Sequence, residues 1–278
     1  MKLVILGSGT CVPSIDRGAP ANFLQIGDIR ALIDCGPGTL RQLVKANLDY
    51  RDIDMVFVSH FHVDHISDLG PLIQALNWTP GFDRKKDLIL IGPAGFETFY
   101  KRYIKPVCGN PRADTYKIII KEITDSLEFP GFEAACFNTP HSPESVAFRL
   151  RSATAPYDVT KRYSSQTRLR QETRSSSDSS VDRDKSLVIS GDCDYDEGMA
   201  EFSKNSDVLL LECSFENSKK MKGHMVSQEC GKIAKKANAG KLILTHLYPP
   251  FSGAKRLAEA REIFPNTILA EDLLEIEI

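Results

Sequence analysis

Ser59-His60-Phe61-His62-Val63-Asp64-His65 is the stretch on which the reading of this chain turns. It directly follows Met55–Val58, an apolar, strand-like run. Three His and one Asp fall within residues 60–65, at a strand end, where a loop can fold several side chains onto one point. Imidazole nitrogens beside a carboxylate suit Zn²⁺ and related transition metals. A hydrophobic core has no use for three polar rings next to an Asp. The whole chain has six His, so half of them sit here.

Working outward, the same grammar recurs around the other ligand-type residues. Phe132–Phe137 leads into Asn138-Thr139-Pro140-His141-Ser142, Leu187–Ile189 into Ser190-Gly191-Asp192-Cys193, and Leu242–Leu244 into Thr245-His246. Each apolar run ends in a small polar turn bearing one metal-ligand side chain. Taken singly, such a His is usually packed or solvated and such an Asp is a turn residue. Taken together, four strand ends of this kind imply convergence on one edge of layered sheets. Further strands are expected at Lys2–Leu6, Asn22–Ile26, Arg30–Ile33, Leu88–Ile91, Tyr116–Ile120, Val146–Leu150, Val208–Leu211 and Leu273–Ile278. Helices are expected at Thr39–Ala46, Asp68–Leu76, Ala94–Ile104, Glu197–Lys204, Ser227–Asn238 and Ala254–Ile263. Trp78 and Leu69–Leu76 read as core.

Composition narrows the class. The chain has 278 residues, 42% of them apolar and 26% charged, with net charge −2. That supports a large core, excludes a disordered chain, and gives no global steering toward nucleic acid. No apolar run approaches the ~20 residues of a membrane span, and the opening MKLVIL is too short for a signal-peptide core. Seven Cys without a C-x-x-C pair fit reduced thiols in a cytoplasmic protein better than a disulfide framework. Residues 152–185 stand apart: they hold eight Ser and almost no apolar side chains after Val159. They read as a polar insertion in a single domain spanning 1–278. Lys161–Arg174, with five basic residues and one acid, is its most basic stretch.

H-x-H-x-D-H after a strand, followed by His, Asp and His at later strand ends, resembles the metallo-β-lactamase superfamily. The resemblance is closest to its ribonuclease Z-like branch. Leu6-Gly7-Ser8-Gly9-Thr10 with Pro13-Ser14, and Asp34-Cys35-Gly36-Pro37-Gly38-Thr39, are similar to that branch's opening motifs. Ser190-Gly191-Asp192, Leu211-Glu212-Cys213-Ser214-Phe215, Gly223-His224 and Leu244-Thr245-His246 are similar to its later ones. The resemblance implies an α+β fold, an αββα sandwich with a dinuclear metal site along one edge. By it, His60, His62 and His141 hold one divalent ion, Asp64, His65 and His246 hold a second, and Asp192 bridges them. Zn²⁺ leads among the candidates, with Mn²⁺ and Fe²⁺ not separable on His and Asp alone. An anionic bridge lets two cations sit about 3.5–4 Å apart and activate water near neutral pH. Asp64 can also orient or deprotonate that water. His224 then aids phosphate binding and protonates the leaving group, with Glu212 orienting it, and Asp34 supports a ligand His.

The implied activity is a metal-dependent phosphodiesterase, with RNA 3′-end processing as its nuclease form and a phosphodiester, RNA among them, as substrate. A homodimer is the assembly common among such relatives. One departure matters. Ribonuclease Z proper carries a long arm with a Gly-Pro-rich motif between the positions of His141 and Asp192, and that arm grips transfer RNA. Here the insertion occupies the same place without the motif. Hydrolysis of another ester (sulfate ester, thioester or lactone) on the same metals is the alternative enzyme reading. A non-catalytic metal-binding module is the alternative outside enzymes, although no ligand is missing.

Overall fold

The computed structural model describes residues 1–109, 115–153 and 184–278. Runs of β-branched and aromatic residues form two seven-stranded sheets. The first contains β1 (Lys2–Gly7), β2 (Ala21–Ile26), β3 (Ile29–Cys35), β4 (Met55–Phe57), β5 (Leu88–Gly92), β6 (Ile118–Glu122) and β14 (Leu274–Glu277), in the order β14-β1-β2-β3-β4-β5-β6. The second contains β7 (Ser126–Phe129), β8 (Phe132–Asn138), β9 (Val146–Ser152), β10 (Ser186–Ile189), β11 (Val208–Glu212), β12 (Lys241–Thr245) and β13 (Thr267–Leu269), in the order β13-β12-β11-β10-β9-β8-β7. Each sheet is antiparallel at one side and parallel at the other: β3 to β6 are parallel, and so are β10 to β13.

The two-residue side-chain period sorts each strand into two layers. Leu3, Ile5, Leu24, Ile33, Phe57, Phe148, Ile189, Leu210 and Ile243 meet between the sheets. There Phe57 lies edge-on to Phe148, with ring centroids 5.3 Å apart. On the outer face of the first sheet, Val4, Leu6, Val56 and Val58 pack with Leu69, Leu72 and Ile73 of a helix. Outside the second sheet, Val188, Leu209, Leu211 and Leu242 pack with Met199, Ile233 and Ala260 of three others. Strands covered on both faces read as continuous apolar runs, which is why they were legible. The result is the expected αββα sandwich. Fully burying one such side chain contributes roughly 1.5–3 kcal/mol.

Helices α1 (Thr39–Lys45), α2 (Val63–Ile66), α3 (Leu69–Trp78), α4 (Phe96–Phe99), α5 (Lys105–Cys108), α6 (Glu197–Phe202), α7 (Ser227–Lys236) and α8 (Gly253–Arg261) form the outer layers. The helix expected over Ala94–Ile104 is broken into α4, a π-helical turn at Tyr100–Ile104, and α5. Pro106 lacks the N–H that a regular helix would direct at Arg102, which accounts for the widening before it. Trp78 is not core: it is 66% exposed, off the Leu69–Leu72–Ile73–Leu76 stripe that α3 buries. Two strands, β7 and β13, were not expected.

The segment 154–183 of the expected insertion lies outside the described residues. Its ends are tied together where the Lys185 N–H donates to Ser152 Oγ at 2.8 Å. Ser186 pairs with Arg151 at the start of β10, whereas Asp192 follows the end of that strand. The insertion is therefore anchored the whole length of β10 away from Asp192.

Candidate metal centre

The carboxyl ends of parallel strands share one edge of a sheet, and the two sheets place those edges side by side. Asp34 is the last residue but one of β3, His60 follows β4, Asp192 follows β10, Glu212 ends β11 and His246 follows β12. His62 is the residue capping α2, and Asp64 and His65 lie within that one-turn helix. The H-x-H-x-D-H stretch is thus a strand end, a short loop and a single helical turn. Backbone close approach holds it there: a Cβ on Gly36 would lie 2.0 Å from the Asp64 carbonyl oxygen. Gly191 has φ +58, and a Cβ there would lie 2.7 Å from Ser59 Cβ.

Asp192 sits in the middle, buried. Its Oδ2 lies 3.8 Å from His60 Nε2 and 3.5 Å from His141 Nε2. Its Oδ1 lies 3.2 Å from both His65 Nε2 and His246 Nε2. His62 Nδ1 completes the first set, 3.0 Å from His60 Nε2 and 3.1 Å from His141 Nε2. Asp64 Oδ2 completes the second, 3.8 Å from His65 Nε2 and 3.7 Å from His246 Nε2. One carboxylate therefore offers one oxygen to each of two ligand sets.

The hydrogen-bond network assigns each proton away from the centre. His65 Nδ1 donates to Asp34 Oδ2 at 2.7 Å. The Ser59 hydroxyl also donates to Asp34, so it can only accept from His60 Nδ1, at 3.0 Å. His141 Nδ1 donates to the Gly223 carbonyl at 2.8 Å. Ser214 Oγ donates to Glu212 and accepts from His246 Nδ1 at 3.0 Å. In each of these four rings the Nδ1 proton points away from the centre and Nε2 faces inward, the nitrogen that a metal would take once it is deprotonated. His65 Nε2, His246 Nε2 and Asp192 Oδ1 are buried and have no hydrogen-bond partner. Buried polar atoms are costly when unpaired, so these three aimed at one point fit a cation. Ligand atoms of His60, His62, His141 and Asp192 lie within 4.8 Å of one another, as do those of Asp64, His65 and His246.

The family described as "β-lactamase superfamily domain" matches residues 29–247. The chain belongs to that superfamily. Ribonuclease Z from Listeria monocytogenes serotype 4a is 30% identical over 305 residues, covering 98% of this chain and 98% of the relative. Ribonuclease Z from Archaeoglobus fulgidus is 29% identical over 311 residues, covering 100% and 97%. Among solved structures, the metallo-β-lactamase-fold protein YhfI from Bacillus subtilis is 26% identical, with TM-score 0.77 and coverage of 100% and 99%. Human tRNase Z, short form, at 22% identity and TM-score 0.72, shares the fold, with coverage of 100% and 99%. This β-lactamase-superfamily chain falls in the ribonuclease Z-like branch and is a metal-dependent hydrolase.

The superfamily member's electrostatics follow from the same geometry. Burial, with the neighbouring His65, holds His60 neutral far below the ordinary His value, and burial with His141 lowers His62. Burial opposes charge on His65, but Asp192 and Asp34 outweigh it and raise its value. Burial would also raise Asp192, yet His246, His65 and His60 hold it well below the carboxylate range. At His224, burial is outweighed by the hydrogen bond and charge of Glu212, raising it. Glu212, fully buried, accepts from His224 Nδ1 at 2.8 Å. A ligand atom of His224 also lies within 4.8 Å of those of Asp192 and His246, so His224 borders the same cleft.

The seven ligand-type residues, Glu212 and His224 read from the sequence are brought together, with Asp34 behind them. Three supporting residues had no separable signal. Ser214 links His246, Glu212 and His224. Thr139 Oγ1 donates to the Asp192 carbonyl at 2.9 Å. Asp194 Oδ2 accepts from the Gly223 N–H at 2.8 Å.

Proposed function

We propose that this chain is a phosphodiesterase that holds two divalent ions, and that its physiological form is RNA 3′-end processing. The observation that carries the reading is Asp192, whose two oxygens face two sets of inward-pointing ligand-type side chains. His60, His62 and His141 with Asp192 would hold one ion, and Asp64, His65 and His246 with Asp192 the other. Zn²⁺ suits the His-rich donors best. Bound there, the ions would supply Lewis acidity at the phosphoryl oxygens and lower the pKa of water.

The chain's own residues do the rest. Asp64, in the second ligand set, also orients the attacking water and accepts its proton. Asp34 and Ser59 hold the tautomers of His65 and His60. His224, protonated beside Glu212, donates to the departing alcohol oxygen. Leaving a ribose hydroxyl needs that proton, because an alkoxide is a poor leaving group. RNA as substrate rests on the names of the relatives, which match this chain over nearly its full length. The seven free thiols fit a reducing cytosol, and among the described residues no helix is long and apolar enough to cross a membrane. A homodimer follows from the resemblance and is read by light scattering.

The test is the zinc- or manganese-loaded protein on bis-p-nitrophenyl phosphate and on a precursor transfer RNA with a 3′ trailer. Turnover of both, lost in Asp64→Ala, is the expected result. Phosphodiesters left intact while thioesters, lactones or sulfate esters turn over would move the reading to another ester. Two bound ions with no turnover on any ester would leave a binding module.

A further inference from the structure

His224 lies in a loop rich in lysine, with Lys219, Lys220 and Lys222 just before it. A cation-rich loop beside a phosphate site invites the assumption that all three lysines meet substrate. Lys220 is otherwise engaged. Its ammonium donates to Asp194 Oδ1, to Glu229 Oε2 at 2.6 Å and to the His224 carbonyl at 2.8 Å. An ammonium has three donors, so none is left for substrate. Glu229 in turn accepts from the Val226 N–H at 3.0 Å, closing the start of α7.

Asp194 is the other half of this arrangement. Its Oδ2 accepts from the Gly223 N–H at 2.8 Å. The carbonyl of the same glycine accepts from His141 Nδ1 at 2.8 Å. Gly223 has φ +89, the left-handed region that places its N–H and C=O for these two partners. Asp194 N–H donates to the Pro140 carbonyl at 3.2 Å, fixing the loop beside His141. One carboxylate, two residues after Asp192, therefore ties the His141 turn, the Gly223 peptide and the His224 loop to the strand end that carries the central aspartate. The side chains of Asp194, Lys220 and Glu229 are 21%, 35% and 19% exposed. That is shielded enough for a three-member charge network to hold geometry where an isolated surface pair would not.

We propose that Asp194, latched by Lys220, is a positioning residue that sets His141 and His224 as one unit. The same latch then orients a ligand of the first ion and aims the proton donor at the departing oxygen. Its substrate consequence is a preference for diesters whose leaving group is a poor one, such as a sugar hydroxyl. This rests on the reading of His224 as the acid, and the test separates the two.

The holoenzyme is assayed on methyl 4-nitrophenyl phosphate, whose leaving group gains little from a proton, and on methyl phenyl phosphate, whose more basic leaving group gains much more from one. His224→Ala is expected to lose ~10²-fold on the phenyl ester and far less on the nitrophenyl ester. Asp194→Asn and Lys220→Met are expected to lose about tenfold more kcat on the phenyl than on the nitrophenyl ester, with KM unchanged and Asp194→Glu recovering part of it. Chelator competition supplies the second readout: both latch variants bind zinc about tenfold more weakly, because His141 has lost its orienting carbonyl. Lys220→Met opens the latch from its other side, so the test survives if Asp194→Asn fails to fold. If His224→Ala discriminates between the esters while both latch variants do not and keep native zinc affinity, the latch is overturned and the acid reading stands. If His224→Ala itself does not discriminate, the acid reading falls and the proposal with it.

Discussion

The two ligand sets that share Asp192 differ in their access to water. Asp64, His65 and His246 are buried, at 7%, 1% and 3% exposure, and His246 adopts φ +56, an uncommon backbone state for a non-glycine residue. In the other set only His60 is buried; His62 is exposed and His141 is partly so. The buried set is held rigidly, its rings locked from behind by Asp34 and by the Ser214–Glu212 pair. The open set is built like a face that receives substrate. Exposure thus separates the face open to solvent from the closed one, and the donors differ as well: three His in the open set, one Asp and two His in the buried one.

Four experiments would break or sharpen that contrast. Asp192→Ala should erase it: with no carboxylate to share, both sets lose affinity, and activity falls by roughly 10³-fold or more, since bound metals supply several kcal/mol of transition-state stabilisation. Metal analysis beside kinetics checks this, and two tightly held ions in the variant would refute it. Asp34→Asn should weaken the buried set selectively. Asparagine tolerates the φ of +61 found at Asp34, so the change removes the charge behind His65 and leaves the backbone. Metal affinity there should drop by about 10–100-fold, read by chelator competition.

Proton linkage should differ between the sets as well. In the metal-free protein burial lowers the values of His60 and His62, whereas Asp192 and Asp34 raise that of His65 against its burial, so His65 keeps a second proton to higher pH than they do. His65 must lose that proton before its Nε2 can take a metal. Binding at the buried set therefore releases a proton, and its affinity falls as pH falls, by up to about tenfold per unit. Calorimetric titration in buffers of different ionisation enthalpy measures the release. The smallest effect is kinetic order: under a dilute chelator the open set should give up its ion before the buried one, which time-resolved metal analysis can follow.

Much of the fold was legible because strands covered on both faces are apolar throughout. Where pairing rather than composition defines a strand, the reading failed. Ser126–Phe129 and Thr267–Leu269 are only four and three residues long, too short for alternation to show. Tyr116–Ile120 was expected where the strand is Ile118–Glu122, because an edge strand can end in Lys121 and Glu122. Trp78 was placed in the core on residue type, while its position on α3 puts it outside. Asp194 and Lys220 have no assignable role in the sequence for a related reason: charged residues in loops look alike until their partners are known.

Residue type and local order alone determined the metal chemistry, because three His and an Asp within one strand-end turn have no cheaper use than a cation. They also marked His141, Asp192 and His246, each following its own apolar strand. Only the packed sheets decided how these meet. Side-by-side carboxyl ends of parallel strands set which oxygen of Asp192 faces which ring, which nitrogen of each ring is free, and which loop Asp194 holds. Those are matters of distances between residues far apart in the chain, and short-range pattern carries no such information.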